Sequence, residues 1–359
     1  MNKKNVAVVM GGYSDEYVVS LKSGQLIFDS LDRNLYNVFK VVILKDEWYF
    51  LNENDEKFPI NKNDFSVDFG NGNVLKFDVC FNIIHGKPGE NGELQAYWDI
   101  VGQKYTGCGF YQSALTFNKK DTLAVLSKYG ILSAKSFYIR KDEEIDAEKI
   151  ISELGLPLFV KPNQSGSSLG ITKVKDKSEF QKALDYAFAE DDDVLIEEFL
   201  NGTEVSVGVV DFSGETVVLG ITEIVPTKGK EFFDYEAKYE GASEEITPAR
   251  IDDETRKKVE EIMKRAYKSL GMSGFSRSEL ILVSGTPYLL EINTNPGFSP
   301  ASILPQQAKY YGISITDLCG NEVEKALSPL SSERGNPQDS PIPLKKIKMN
   351  EANVAKSDG

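Results

Sequence analysis

The chain has 359 residues, of which 41% are hydrophobic and 27% charged, an ordinary globular composition long enough for two or three domains with cores of their own. It carries 55 acidic against 41 basic residues, a net charge of −14. An acidic surface disfavours nucleic acid and anionic membrane as partners, so a negatively charged substrate would need a local basic site or metal ions. The cysteines, Cys80, Cys108 and Cys319, show no CxxC spacing, which argues against a disulfide framework or a zinc knuckle. The apolar run within Met1–Met10 is too short for a signal peptide, and no later run reaches the roughly 18 apolar residues of a membrane span. The expected location is the cytoplasm.

In chain order, Val6–Met10 reads as a buried parallel strand followed by the turn Gly11-Gly12-Tyr13-Ser14. A helix is predicted from about Ser20 to Leu31, with Ser20 as its N-cap. GGYSDE lacks the G-x-G-x-x-G spacing of a dinucleotide fingerprint. Phe77–Ile84 is a second apolar strand, and it delivers His85-Gly86-Lys87-Pro88-Gly89-Glu90-Asn91-Gly92. His85, the chain's single histidine, thus sits where a strand hands over to a glycine-rich loop, a common place for function in α/β sheets. With no second histidine and no suitable cysteine, metal-hydrolase and Cys–His protease mechanisms lack their usual parts.

A helix is predicted over Asp121–Tyr129, then a strand over Pro157–Val160 leading to Lys161-Pro162 and the loop Asn163–Gly170 (NQSGSSLG). That loop is small, flexible and rich in hydroxyl and N–H donors, suited to closing over phosphates. It is not a P-loop, because no G-x-x-x-x-G-K-[ST] occurs. Ser178 and Gln181 suggest a capping box for a helix whose core stripe is Phe180, Ala183, Leu184, Ala187 and Phe188. Asp191–Asp193 reads as a solvated turn. Val194–Leu200 reads as a strand carrying Glu197 and Glu198, and Asp253–Leu270 as an amphipathic helix. A last helix is expected to end near Ala326. From Leu327 onward proline, serine and charge dominate, and a disordered tail is expected.

The stretch Phe275–Ser302 (FSRSELILVSGTPYLLEINTNPGFSPAS) carries the densest chemistry. Its apolar runs Leu280–Val283 and Tyr288–Ile292 flank the turn Ser284-Gly285-Thr286-Pro287, which predicts a β-hairpin. Alternation puts Glu291 and Asn293 on one face, and a paired strand brings Glu279 beside them. Two carboxylates and an amide oxygen form a hard, oxygen-only site that suits Mg²⁺ and not zinc. Backbone N–H groups of the following Asn293–Gly297 loop could face a developing negative charge.

Arg-x-Glu, an apolar strand and LLEINTNPG together resemble the metal-binding core of the ATP-grasp ligases, and within them the D-alanine–D-alanine ligase family. GGYSDEYVVSLKSG, the HGKPGENG loop and VKPNQSGSSLG resemble further motifs of that family, as does EFFDYEAKYE (231–240), which is similar to its lid. Asn91 replaces the family's usual aspartate, Val18 stands where an acidic residue or histidine is common, and Glu279 stands where aspartate is. The resemblance, over about residues 4–326, implies three α/β domains (1–115, 116–200 and 201–326, with 327–359 as the tail) and ATP held between two antiparallel sheets. It implies that one D-alanine carboxylate attacks the γ-phosphate to give an acylphosphate, which the amine of a second D-alanine then attacks, for peptidoglycan precursor synthesis. The roles implied are Mg²⁺ (or Mn²⁺) on Glu279, Glu291 and Asn293, and phosphates on Lys119, Lys161 and Lys238. Adenine and ribose would lie on Glu197 and Glu204, the oxyanion on Arg277 and the Gly297 N–H. Glu16 would take the first ammonium, His85 the substrate, and Ser302 the second carboxylate, with Ser167 and Tyr239 linking loop and lid to Glu16. Relatives that use D-lactate or D-serine, or that join other dipeptides, share the fold; a tyrosine at 239 argues against lactate. The alternative of a non-catalytic ATP-binding protein predicts lost metal ligands or phosphate lysines, and this sequence keeps them. Family members are commonly homodimers.

Overall fold

The computed structural model describes residues 2–164, 166, 169–226 and 243–328. Ser167, Lys238 and Tyr239, the expected lid, and 329–359 of the expected tail lie outside the described residues. The first sheet holds β1 (Lys4–Gly11), β2 (Tyr36–Ile43), β3 (Trp48–Leu51), β4 (Lys57–Asn61), β5 (Ser66–Asp68), β6 (Val74–Leu75) and β7 (Val79–Asn82), in the order β6-β5-β4-β3-β2-β1-β7. The helices α1 (Tyr17–Ser30), α2 (Glu93–Val101), α3 (Phe110–Phe117) and α4 (Lys119–Ser127) lie in this part of the chain.

β1 runs parallel to both β2 and β7, and it is covered on both sides. Val6, Val8 and Met10 pack with Ile27 of α1, while Ala7 and Val9 pack with Leu94 and Trp98 of α2. Burial on two faces is why this strand reads as an unbroken apolar run.

The second sheet, β10-β9-β11-β8, consists of β8 (Ser136–Arg140), β9 (Leu158–Pro162), β10 (Thr172–Val174) and β11 (Asp193–Glu198), backed by α5 (Ala147–Leu154) and α6 (Phe180–Phe188). The third, β14-β13-β12-β15-β16, consists of β12 (Thr203–Phe212), β13 (Glu215–Pro226), β14 (Ser243–Ile246), β15 (Phe275–Val283) and β16 (Thr286–Asn293), backed by α7 (Asp253–Ser269). Every strand pairing in these two sheets is antiparallel. The last helices, α8 (Ile303–Tyr311) and α9 (Ile315–Leu327), return to the first sheet, where Leu304, Leu318 and Val323 join the cluster around Val8 and Ile27.

Three local expectations are corrected. Ser20 does not cap α1; the helix begins at Tyr17, and the buried Ser20 hydroxyl accepts from Gly11 N–H (2.9 Å) and donates to the Ile83 carbonyl (2.7 Å). It ties the turn after β1, where Gly11 has φ +106°, to the end of β7. The capping box lies two residues earlier than read, on Asp176 and Glu179. The hairpin turn is only Ser284-Gly285, both with positive φ (49° and 76°), and Pro287 sits inside β16 opposite Leu282. β16 is an edge strand, so a residue without an N–H is tolerated there.

Candidate active site

The β15–β16 register places Glu279 opposite Glu291 and Arg277 opposite Asn293. Residues two apart on one strand share a face, so these four side chains form one polar patch. Leu280, Leu282, Leu289 and Ile292 fill the core beneath; a bulge between Glu279 and Leu280 adjusts the pairing past the carboxylates. The hydroxyl of Ser206, on neighbouring β12, lies 3.4 Å from an Arg277 guanidinium nitrogen.

A cleft of about 350 Å³ opens between the second and third sheets, with Glu279 and Glu291 in its lining. Part of the wall is apolar: Phe159, Leu169, Ile171, Phe199, Ile281 and Leu290. Charged residues share the wall, and three ion pairs lie in it or beside it. Lys161 Nζ lies 2.6 Å from Glu197 Oε2, Lys119 Nζ 3.1 Å from Glu291 Oε2, and an Arg277 nitrogen 3.1 Å from Glu279 Oε1. Glu197 Oε1 is buried and has no hydrogen-bond partner among the described residues. Glu204 also lines the cleft.

Asn163 joins two of these features, accepting Lys120 N–H on its side chain (2.8 Å) and Lys119 N–H on its carbonyl (3.3 Å). The start of α4 is thereby fixed to the glycine-rich loop.

Glu16, at the N-terminus of α1, meets that loop. A Cβ at Gly166 would lie 2.8 Å from Glu16 Oε2, and one at Gly86 3.3 Å from it. Glu90 is buried nearby and accepts Gly86 N–H at 2.9 Å. Burial, with the negative charges of Glu16 and Glu291 adding and Gly86 N–H and Lys119 opposing, pushes its carboxyl up to about 8.

His85 is buried, and burial lowers its pKa. Its Nδ1 lies 2.7 Å from the Asn295 carbonyl and its Nε2 3.0 Å from Ser23 Oγ. Asn295 N–H donates to Asn293 Oδ1 at 2.9 Å. Ser302 precedes α8 without capping it, and its Oγ accepts Ser299 N–H at 3.0 Å. A Cβ on Gly297 would come within 3.1 Å of the same oxygen.

Residues 5–108 match the family model described as D-ala D-ala ligase N-terminus, and residues 120–324 match its C-terminus counterpart. The chain belongs to the D-alanine–D-alanine ligase family. A D-alanine–D-alanine ligase of Flavobacterium psychrophilum is 58% identical over 324 residues, 90% of this chain and 98% of that one. Among solved structures, the VanG D-Ala:D-Ser ligase of Enterococcus faecalis gives a TM-score of 0.80 at 33% identity, covering 90% of this chain and 100% of that one. The D-alanine–D-alanine ligase of Bacillus anthracis complexed with ATP gives 0.72 at 27% identity, covering 92% and 100%. The fold is the ATP-grasp fold of these ligases, with the cleft lying between its two antiparallel sheets.

The donor set fits a hard divalent cation. Among the described residues no group of three His, Cys, Asp or Glu side chains gathers as a metal cluster, but two facing carboxylates with an amide oxygen beside them supply oxygen ligands only. The structure brings Glu279, Glu291, Asn293, Arg277 and Lys119 to one face or its rim. Sequence reasoning had not singled out Ser23, Asn163, Ser206 or Asn295. The spacing of Ser20 and Ser23 on an otherwise apolar face of α1 was the one available signal.

Proposed function

We propose that this protein joins two D-alanines into D-alanyl-D-alanine with ATP, forming ADP and phosphate through an acylphosphate. The observation that carries this reading is the cross-strand quartet Arg277, Glu279, Glu291 and Asn293 beside two buried lysines, in a chain that matches the family over residues 5–108 and 120–324.

The apolar wall formed by Phe159, Ile281 and Leu290 takes the adenine, and the unpartnered Glu197 oxygen accepts a nucleotide N–H or O–H. Glu204 is the second acceptor, for ribose. Lys119 and Lys161 turn from their carboxylates to the phosphates, and Lys238 approaches the terminal one. Glu279, Glu291 and Asn293 hold Mg²⁺, or Mn²⁺ in its place, which supplies charge neutralisation during phosphoryl transfer.

Glu16 holds the ammonium of the first D-alanine, whose carboxylate oxygen attacks the γ-phosphorus as ADP leaves. The amine of the second D-alanine, its carboxylate held by Ser302 at the N-terminus of α8, loses a proton and attacks the acyl carbonyl. Arg277 and the Gly297 N–H stabilise the tetrahedral oxyanion until phosphate departs. Ser167 and Tyr239 close the loop and lid over the substrates.

We place the domain boundaries near 115 and 200, which leaves each of the three sheets in its own unit. The product's use in peptidoglycan precursor synthesis, a homodimer and a cytoplasmic location belong to the same reading. The described residues contain no helix long and apolar enough to cross a membrane; light scattering of the purified protein would report the dimer. A D-serine acceptor is the second reading, favoured by the likeness to VanG.

Purified protein with ATP, Mg²⁺ and a panel of D- and L-alanine, D-serine and D-lactate tests the assignment. Matched release of phosphate and D-alanyl-D-alanine is expected. ATP turnover with D-serine or D-lactate as the preferred acceptor would overturn the substrate and leave the ligase chemistry.

A further inference from the structure

The histidine of this chain is committed on both sides of its ring. Its Nδ1 faces the Asn295 carbonyl at 2.7 Å, and a carbonyl only accepts, so Nδ1 carries the proton. In the neutral ring Nε2 is then an acceptor, matched by the Ser23 hydroxyl at 3.0 Å. Ser23 Oγ in turn accepts Phe298 N–H at 3.0 Å. These hydrogen bonds therefore reach the same loop on either side of Gly297: at Asn295 through His85, and at Phe298 through Ser23. Neither side chain is open to solvent, Ser23 being 0% and His85 4% exposed. The Phe298 ring stacks on Phe275 of β15 with centroids 5.1 Å apart, fixing the far end of the loop.

The other donors of this loop are accounted for. Asn295 N–H is taken by Asn293 Oδ1, Pro296 has none, and Phe298 N–H is taken by Ser23. No hydrogen bond among the described residues takes the Gly297 N–H. The network thus satisfies its neighbours and leaves one donor available in an otherwise buried turn.

We propose that Ser23 and His85 are positioning residues that hold the Asn295–Phe298 loop so that the Gly297 N–H meets the oxyanion formed at the acyl carbonyl. This rests on the ligase reading and deepens it. It replaces the substrate contact expected for His85, because both ring nitrogens are already used within the protein and the neutral ring has no second proton to offer a substrate carboxylate. Donors held in place before reaction act without reorganisation when charge develops, and small displacements of such groups cost up to about 100-fold in rate.

The test compares Ser23→Ala, His85→Ala and His85→Asn with wild type in steady-state dipeptide synthesis, with thermal unfolding alongside. Asparagine places an N–H near the position of Nδ1 and so keeps the bond to Asn295. The expected result is that Ser23→Ala and His85→Ala lower kcat by about tenfold or more while KM for D-alanine and ATP stays within about twofold. His85→Asn should recover part of that kcat. Should His85→Ala fail to fold, Ser23→Ala and His85→Asn carry the comparison, because each deletes only part of the network. A raised KM for D-alanine at unchanged kcat would overturn the proposal by making His85 a substrate contact, and unchanged kcat in Ser23→Ala and His85→Asn would overturn it as well. If wild type makes no dipeptide from any acceptor, the ligase reading itself fails and the inference falls with it; an active wild type with unaffected variants removes only the inference.

Discussion

In the cleft between the second and third sheets, charge faces charge: Lys161 on Glu197, Lys119 on Glu291, Arg277 on Glu279. Where the first sheet meets the Asn295–Phe298 loop, the polar groups are as deeply placed but their links are uncharged: a neutral imidazole, a hydroxyl and main-chain groups. Ion pairs can exchange partners. A lysine can leave its carboxylate for a phosphate while that carboxylate takes a cation, so the cleft keeps its charges balanced whether or not nucleotide is present. A neutral network has no incoming charge to compensate a lost bond, so it holds geometry instead. On the proposed reading, the first region is rearranged by its ligands and the second stays as it is.

The largest effect should come from breaking a pair on one side only. Lys161→Ala leaves the Glu197 carboxylate buried without its cation and should cost about 3 kcal/mol or more of stability, read by urea unfolding. The double variant Lys161→Met/Glu197→Gln should regain most of it; a single variant that loses less than about 1 kcal/mol would mean the pair is effectively solvated. Glu291→Gln comes next. It should keep the fold but lower turnover by about two orders of magnitude at saturating Mg²⁺, because the proposed cation site would lose one charged ligand. Near-normal phosphate release would return Glu291 to an ordinary hairpin residue.

A smaller effect is expected at Glu90, whose carboxyl is raised from 4.5 to about 8 by burial. A folded-state pKa above the unfolded one means that the native state binds more protons in this range, so this group's favourable contribution is complete below about pH 4.5 and is lost as pH rises toward 8. Glu90→Gln keeps an acceptor for Gly86 N–H and has no proton to lose. Its thermal midpoint should therefore fall less than that of wild type between pH 5 and 8; parallel profiles would show that Glu90 ionises freely. The smallest effect belongs outside both regions. The exposed Lys258–Glu254 pair on α7 is screened by solvent, so Lys258→Ala should leave the unfolding midpoint essentially unchanged in the same assay and sets the scale for the others.

The cleft was more legible in the sequence than the junction, and the reason is distance along the chain. Arg277, Glu279, Glu291 and Asn293 lie within one hairpin, so strand alternation was enough to set them on one face. Phosphate-loop material was recognisable in Asn163–Gly170, yet nothing local tied Asn163 to Lys119 and Lys120. The link from His85 to Ser23 spans 62 residues and that from His85 to Asn295 spans 210, so no periodicity carries either. Ser20 misled for a related reason: a serine near a helix start normally caps it, but here its hydroxyl is claimed by Gly11 and Ile83 from two other segments. Turn chemistry and edge position, rather than the Gly-Thr-Pro sequence, decided how far β16 extends. The long central strands β12 and β13 had no motif at their centre and were not separated from their surroundings.

On the proposed reading, the charges of this cleft drive transfer of the γ-phosphoryl group to a D-alanine carboxylate before the peptide bond forms. D-alanine labelled with ¹⁸O in both carboxylate oxygens tests it most directly, by mass analysis of the inorganic phosphate released during dipeptide synthesis. One labelled oxygen is expected in each phosphate, because the attacking carboxylate oxygen leaves with phosphorus. Phosphate carrying no label, with dipeptide still formed, would contradict it.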